Sequence, residues 1–464
     1  MSIVHDLEYL CDGIADEIII AIAKIKELKV ISRSSSFSYK NQYEDARVIG
    51  KKLGVNNILE GSIKKSADRF RISAQLINVE DGFQLWSDIF QMEVGDIFII
   101  QENIAKSVVE NLKLKFSNAN NSKLVNIGTE NHEAYDLYLK GRYYWYKRYK
   151  GGLQLSLSSF EKAIEKDPNF AKPYAGISDV GYVLGVNGLV KAELAWEKSS
   201  KALKKAFELN PSFPEAFISK GLFEGWFSLN WKISLAAWKQ ALILNPSDVK
   251  CHAWMAGVKA LLVFPKEDVI SEIQLVLQMA PTAFFAHSVC GFAYGVIGEF
   301  KKASELLKRV ISEDPANVLA YYWNGLICWH MGDLIQAEEC LDTGVTLSGR
   351  FAIIVSIFSA FLGYTGKIKE GRELLKELED RAKTEYISHG VLAVANIGIG
   401  NKEQAYIDLE LGFQQKDPST HFLICMPLWS NIHNEDRFKL LLENSLPISW
   451  ESYYQCWGRN TKSN

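Results

Sequence analysis

The pattern of apolar and polar residues divides the chain into two parts that meet near residue 131. In the first part, segments with helical spacing and segments with strand alternation follow each other at short intervals. In the second part, helical spacing continues throughout. The sequence therefore predicts a small α/β domain followed by an all-α solenoid, an α+β protein as a whole.

The first helix is predicted over residues 12–28. Apolar residues recur there at helical spacing, Asp12 is a favourable N-cap, and acidic residues occupy the first turn. A short strand, "KVIS", is predicted at 29–32. A second helix is expected to begin after Asp45, another favourable N-cap, and to end at Gly54, which can adopt the left-handed conformation of a helix end.

Three strands are predicted next, at 56–65, 69–78 and 83–90, with turn signals between them. In the middle run, apolar residues alternate with polar ones, which is typical of a sheet with one buried face. These apolar residues are Phe70, Ile72, Ala74 and Leu76. A further helix is expected from Asp96, with one apolar face formed by Ile97, Ile100, Ile104 and Val108. The predicted order is α-β-α-β-β-β-α.

A serine-rich stretch, "SRSSSFSYK" at 32–40, lies between the predicted strand and the second helix. It has no glycine and no GK[ST] ending, so it does not form a phosphate-binding P-loop. A nucleophilic serine needs a partnered base, and no histidine lies between His5 and His132. We interpret the stretch as a structural loop. The alternatives are a contact with a ligand or a partner, and a phosphorylation site.

Several blocks of the first part resemble the TolB-like amino-terminal domain of bacterial proteins. They read "EYLCDGIADEI", "LKVISRSSSFSYK", "ARVIGKKLGVNNILEGSIKK", "RISAQLINVEDGFQLWSDIF" and "DIFIIQENIA". Members of that family usually begin with one more apolar strand, so the resemblance implies a sheet with an unpaired edge. They often follow a nucleotide cyclase domain or a winged-helix domain, which implies that this chain corresponds to the C-terminal part of a longer signalling protein.

Helix ends followed by proline recur in the second part, at residues 168, 211, 246, 281 and 315. The intervals between these prolines are 43, 35, 35 and 34 residues, and Pro418 lies 103 residues further on. A period near 34 residues is the signature of tetratricopeptide helix pairs. The longer first interval predicts extra residues near 186–200. Small residues such as Gly325 and Ala337 stand where the two helices of a pair should cross closely.

These patterns predict four segments. The TolB-like domain is expected over 1–115, a linker over 116–130, the repeat array over 131–426, and a C-terminal cap and tail over 427–464. The cap should cover the last apolar face of the array. The tail, 449–464, carries four large aromatic residues that are expected to dock on the solenoid.

Composition excludes several classes of protein. Hydrophobic residues make up 48% and charged residues 23%, and the net charge of −3 gives no broad positive field for nucleic acid. The longest apolar run, 351–364, is too short to span a bilayer. Seven cysteines form no CxxC pair, and the histidines show no metal-binding spacing. We therefore expect no catalytic residue, no cofactor and no metal.

The candidate partner site is an aromatic groove on the first helices of two adjacent repeats. Its predicted residues are Phe285, Phe292, Tyr322, Trp329 and His330. The groove lacks the Lys, Asn and Arg set that clamps a C-terminal carboxylate, so an apolar peptide or a segment of this same chain fits it better. The alternative is that these aromatic residues belong to the core.

We therefore expect a non-catalytic protein-interaction scaffold, or a sensory and regulatory module of a bacterial signalling system. Two alternatives stay open: the C-terminal regulatory fragment of an adenylate or guanylate cyclase, and a small-molecule sensor. The chain as given is expected to be cytoplasmic; a periplasmic location would follow if it belongs to a longer membrane-anchored protein. Its expected partner is a protein or peptide with an apolar segment, and neither nucleic acid nor a membrane-spanning segment is expected.

Overall fold

The computed structural model describes residues 8–443, apart from 24, 26–27, 29, 43, 67–68, 94–96, 113–127 and 148–149. The predicted aromatic tail, 449–464, lies outside the described residues, and so does most of the predicted linker. The proposed domain boundaries therefore stay predictions.

Over its described residues, the N-terminal unit contains four helices and one sheet. Its elements are α1 (Glu8–Ile22), α2 (Arg33–Phe37), α3 (Ala46–Leu53), β1 (Asn57–Ser66), β2 (Arg69–Asn78), β3 (Gln84–Glu93) and α4 (Ile97–Asn111). The three strands pair antiparallel in the order β1-β2-β3. The predicted strand alternation is confirmed, because Phe70, Ile72, Ala74 and Leu76 are all buried. The predicted apolar face of α4 is confirmed at Ile100, Ile104 and Val108.

The ends of α3 are also as predicted. The side chain of Asp45 accepts a hydrogen bond from the backbone N–H of Arg47 at 2.8 Å, which caps the first turn. Gly54 ends the helix in the left-handed conformation, with φ of 66°. A residue with a Cβ is strained there, which explains why glycine follows the helix.

Two predictions for the first segment are wrong. The first helix begins at Glu8 and ends at Ile22, so Asp12 is an interior residue. Its carboxylate is nearly buried and faces Lys40 of a later segment, a contact that local spacing does not reveal. The predicted strand at 29–32 is not observed at 30–32. An extended segment becomes a strand only beside a partner strand, and none of the described strands pairs with it.

The second part is a series of antiparallel helix pairs. First helices are α5 (His132–Lys147), α7 (Ala171–Val186), α9 (Pro214–Trp226), α11 (Val249–Leu261), α13 (Phe284–Val296), α15 (Val318–Met331), α17 (Ala352–Tyr364) and α19 (His389–Gly398). Second helices are α6 (Lys150–Lys166), α8 (Ala192–Leu209), α10 (Trp231–Leu244), α12 (Lys266–Met279), α14 (Phe300–Glu313), α16 (Leu334–Leu347), α18 (Ile368–Arg381) and α20 (Lys402–Gln414). Two short helices follow, α21 (Pro418–Ile424) and α22 (Asp436–Glu443). The predicted tetratricopeptide solenoid is confirmed.

Glycines of the first helices set how closely the two helices of a pair approach. A Cβ atom added at Gly291 would lie 2.6 Å from Leu307 Cγ, and one added at Gly325 would lie 2.8 Å from Leu341 Cγ. Real Cβ atoms do not approach other atoms so closely, so a larger residue would push the helices apart. The large leucine of each second helix thus fills the space that the glycine leaves.

The long first interval between prolines is explained by longer helices. The second helix α8 has 18 residues, whereas α10, α12, α14 and α16 have 14 each. The first helix α7 has 16 residues, against 13 in α9 and α11. The extra residues thus extend one helix pair within the regular array, at the place that the sequence predicts.

Ala337 on α16 is fully buried, so replacing it with leucine tests the close packing of the array. We expect Ala337→Leu to lower the free energy of unfolding by about 1–3 kcal/mol, because added methylene groups overpack a dense core. Hydrogen exchange should show lost protection in α15, α16 and neighbouring helices, since repeats contact mainly their neighbours. Thr346→Leu, on the exposed side of the same helix, is the control. Equal loss of protection in the β-sheet would contradict this expectation.

Candidate functional site: the inner face of the helical array

The first helices form the inner face of the array. Successive first helices pack on each other, as α7 does on α9, α11 on α13 and α17 on α19. Second helices instead pack on the first helix of their own pair and on that of the next pair. The array therefore curves with the first helices inside. We use the term inner face for the surface of these first helices.

The structure does not bring the five predicted groove residues together in one open surface. Phe292 and Tyr322 are buried, and their rings lie 4.4 and 4.1 Å from the ring of Trp323. Phe285 packs on Trp254 instead, with 5.9 Å between the ring centres.

The other two predicted groove residues lie towards the ends of their helices. Trp329 packs between Phe361 and Tyr364 of the next repeat, at 5.4 and 5.6 Å. His330 is exposed and lies 4.6 Å from the ring of Phe300. Phe292 and Tyr322 thus share one buried cluster around Trp323, whereas the other three residues pack elsewhere.

Phe422 of α21 occupies the aromatic part of the inner face. Its ring lies 5.4 Å from Trp226, 6.0 Å from Trp323 and 6.5 Å from Phe292, which belong to three different repeats. The helix α21 also packs on α7 and α9. A segment from the end of the array therefore contacts early repeats, and the chain's own phenylalanine packs against Phe292, one of the five predicted groove residues.

Buried hydrogen bonds hold α21 in this position. Asp417 caps the helix, and its carboxylate accepts hydrogen bonds from the backbone N–H of Ser419 at 3.0 Å and from the hydroxyl group of Ser388. Burial raises the pKa of Asp417 above its usual value, against the lowering by these hydrogen bonds. A Cβ atom at Gly188, in the α7–α8 loop, would lie 2.8 Å from Ser388 Cβ. Early and late repeats are therefore in direct contact.

The N-terminal helix α1 docks on the first repeats through apolar contacts. Leu10, Ile14 and Ile18 of α1 are buried in the same core as Tyr135 and Leu139 of α5. Close approach depends on Gly13, since a Cβ atom there would lie 2.6 Å from a methyl carbon of Leu139.

Charged contacts surround this apolar seam. Tyr143 of α5 donates a hydrogen bond to Glu8 at 2.6 Å. Lys172 of α7 donates to both carboxylate oxygens of Glu17, at 2.7 and 2.8 Å, and the two side chains are only 11% and 5% exposed. The helix α1 is thus an acidic amphipathic helix held by the chain's own inner face.

The serine-rich stretch docks on the middle of the array. Residues 33–37 form α2, which Ser32 caps. The fully buried Ser35 accepts a hydrogen bond from the backbone N–H of Thr282 at 3.3 Å, and the hydroxyl group of Thr282 donates to the carbonyl oxygen of Ser35 at 3.1 Å. Ser38 adds a hydroxyl contact to Thr282 at 3.2 Å. The serine-rich stretch is therefore structural, as interpreted from the sequence, but it forms a short docking helix instead of a loop.

Cations gather around Tyr146 between these two docking points. The guanidinium group of Arg33 lies 3.7 Å from the centre of the Tyr146 ring, and Arg142 donates to its hydroxyl group at 2.7 Å. Lys250 of α11 donates to the same hydroxyl group at 3.3 Å. Aromatic rings attract cations most strongly where water is excluded. One tyrosine thus links the N-terminal unit, the first repeat and the fourth.

These docking contacts could not be found from local sequence patterns. Ser35 and Thr282 are 247 residues apart, and their hydroxyl groups carry no periodic signal. The sequence gives a clearer sign of α21 than of the contact between Ser35 and Thr282. It is a seven-residue helix that begins at the last recurring proline, Pro418, and it is too short to be a regular first helix.

The described residues contain no group of three or more His, Cys, Asp or Glu side chains arranged to hold a metal ion. Within the same residues, the structure has no helix that combines the length and the apolar character needed to cross a membrane.

No family model matches the chain. A segment of 186 residues is 33% identical to "Putative adenylate cyclase 3" of Rhizobium meliloti, which covers 39% of this chain and 30% of that protein. A segment of 217 residues is 26% identical to "Superkiller protein 3" of Schizosaccharomyces pombe, covering 45% of this chain and 15% of that one. The matched segments therefore span less than a third of these curated relatives.

Solved structures with some likeness are tetratricopeptide proteins and a pilus factor. The type IV pilus biogenesis factor PilW is 15% identical and covers 54% of this chain and 94% of its own, with a TM-score of 0.29. YrrB, a TPR protein with an unusual peptide-binding site, is 20% identical and covers 42% and 94%, with a TM-score of 0.27. A tetratricopeptide repeat protein from Parabacteroides merdae is 14% identical and covers 68% and 98%, with a TM-score of 0.29.

All three TM-scores lie below 0.5. The assignment as a tetratricopeptide array rests instead on the period of this chain, its helix pairs and its glycine contacts.

The pair of Lys172 and Glu17 provides a test of the docking of α1. We expect Lys172→Met to lower the free energy of unfolding by about 3–5 kcal/mol, because it leaves the Glu17 carboxylate buried without its cation. Adding Glu17→Met should restore most of the loss. Chemical denaturation measures the free energy of unfolding, and hydrogen exchange shows whether protection is lost in α1.

The control is Lys201→Met, which removes an exposed pair with Glu197 on α8. Exposed pairs contribute about 0–1 kcal/mol, so this variant should change little. An equal effect of Lys172→Met and Lys201→Met would mean that the buried pair does not hold α1 on the array.

Proposed function

We propose that this chain is a non-catalytic protein-interaction and regulatory module of a bacterial signalling system. The observation that carries the proposal is the docking of α1, an acidic amphipathic helix, on the inner face of the array. A surface that holds such a helix within the chain is suited to a similar helix of a partner. The partner segment would be apolar on one side and acidic on the other.

In this proposal, residues 1–115 form a TolB-like domain that works together with the array. Contacts of α1 with α5 and of α2 with the α12–α13 connection support such coupling, because they tie the domain to two distant repeats. A change in the N-terminal unit would shift both contacts and so alter access to the inner face.

A second candidate is the regulatory part of a nucleotide cyclase. The similarity of 33% to a protein described as an adenylate cyclase favours it, although the match spans only 30% of that protein. The two candidates are separated by the nucleotide sequence immediately upstream of Met1. A continuous reading frame that encodes a cyclase catalytic domain would favour this second candidate.

The helix-binding function is tested with a labelled peptide of residues 8–22. The intact wild-type chain should bind it weakly, because its own α1 competes at high effective concentration. The variant with Glu8→Lys and Glu17→Lys should bind it at least about tenfold more tightly, since its altered α1 meets Lys172 with like charge. Fluorescence anisotropy measures the affinities.

The matched control is the same peptide with Glu17→Lys, which should bind the variant weakly. If the wild-type peptide does not bind the variant, or binds no better than the control peptide, the inner face does not accept an acidic helix. The proposed function would then be wrong in its central feature.

A further inference from the structure

The strand β3 is an edge of the sheet that the structure leaves exposed. It pairs with β2 on one side, and no described strand lies on its other side. Leu85 and Ile89 on β3 are 42% and 50% exposed, and Phe83 just before it is 73% exposed. The opposite edge, β1, presents no large exposed apolar side chain among its described residues. The two edges of the sheet therefore differ in character.

The backbone of β3 offers hydrogen-bonding groups to an incoming strand. The N–H of Ile89 donates to the side chain of its own neighbour, Asp88, at 2.7 Å. It is therefore directed away from β2. Since backbone groups of alternate residues point the same way in an antiparallel strand, those of Ser87 and Gln91 face the open edge as well. Natural proteins usually blunt such an edge, because it templates pairing with another chain.

Exposed carboxylates lie along this edge and its turn. The carboxylate of Asp88 accepts the Ile89 N–H and has no ion pair among the described residues, and Arg47, beside Gly82 of the turn, is paired with Asp45. Glu80 and Asp81, in the turn that leads to β3, are both exposed. An incoming strand that carries lysine or arginine would place its cations beside these carboxylates and release the Ile89 N–H to its own backbone.

We propose that the β3 edge binds an extended segment of a partner protein, alternating apolar and basic residues, by strand addition. Main-chain hydrogen bonds at Ser87, Ile89 and Gln91 hold the segment, and Leu85 and Ile89 contact its apolar side chains. A second copy of this chain fits less well, because antiparallel pairing of two β3 strands brings acidic side chains towards each other. The inference extends the proposed function, because it adds a second binding surface. The inner face would bind an acidic helix, whereas the β3 edge would bind a basic strand.

The test uses the intact chain and a short acetylated peptide that alternates valine and lysine. Binding should slow hydrogen exchange at Ser87, Ile89 and Gln91 and leave β1 unchanged. Ile89→Pro should weaken binding by about tenfold or more, because proline removes the donor N–H yet is tolerated at an edge strand. Ile89→Val keeps the N–H and should bind like wild type.

Charge is tested with Asp88→Lys, which should prefer a peptide that alternates valine and glutamate. Equal binding to Ile89→Pro and Ile89→Val, or protection that appears in β1, would overturn the proposal. Dimerisation of the free chain that Ile89→Pro abolishes would assign the edge to a second copy. This test is independent of the α1 peptide, so either surface can fail while the other stands.

Discussion

The structure depends on the filling of a curved helical array by segments of the same chain. A tetratricopeptide array curves because its first helices pack more closely than its second helices, and this leaves a concave inner face on which other segments can pack. Here α1 covers the first repeats, α2 contacts the middle of the array, and Phe422 of α21 occupies the aromatic inner face. The helices α2 and α21 each link repeats that are distant in sequence, because Arg33 contacts Tyr146 while Ser35 contacts Thr282, and Phe422 contacts both Trp226 and Trp323.

This arrangement changes where partners can bind. In a simple array, each repeat contacts mainly its neighbours, and the inner face is free for a peptide. In this chain, binding to the inner face must displace a segment that is already held by apolar burial and a buried ion pair. In the function that we propose, a partner helix would have to compete with α1 for the inner face. The exposed edge of β3 has no such competitor among the described residues.

Local features could be predicted from the sequence, but long-range contacts could not. Asp45, Gly54 and the alternation around Ile72 act over a few residues, and the structure confirms each of them. The close crossing at Gly325 could be predicted because a repeat gives the same signal several times. Asp12 was misread as a cap because its partner, Lys40, lies in another segment. The groove aromatics were placed on the correct helices, but sequence spacing gave no sign that Phe422 packs against Phe292 and Trp323.

The most direct test of this account is the distance between the N-terminal unit and the array in solution. Spin labels at Gln42, just beyond α2, and at Glu313, at the end of α14, report on it in the intact chain. Because α2 docks on the connection between α12 and α13, we expect one short distance with a narrow distribution. A long or broad distribution in the wild-type chain would contradict it, since the N-terminal unit would then move independently of the array.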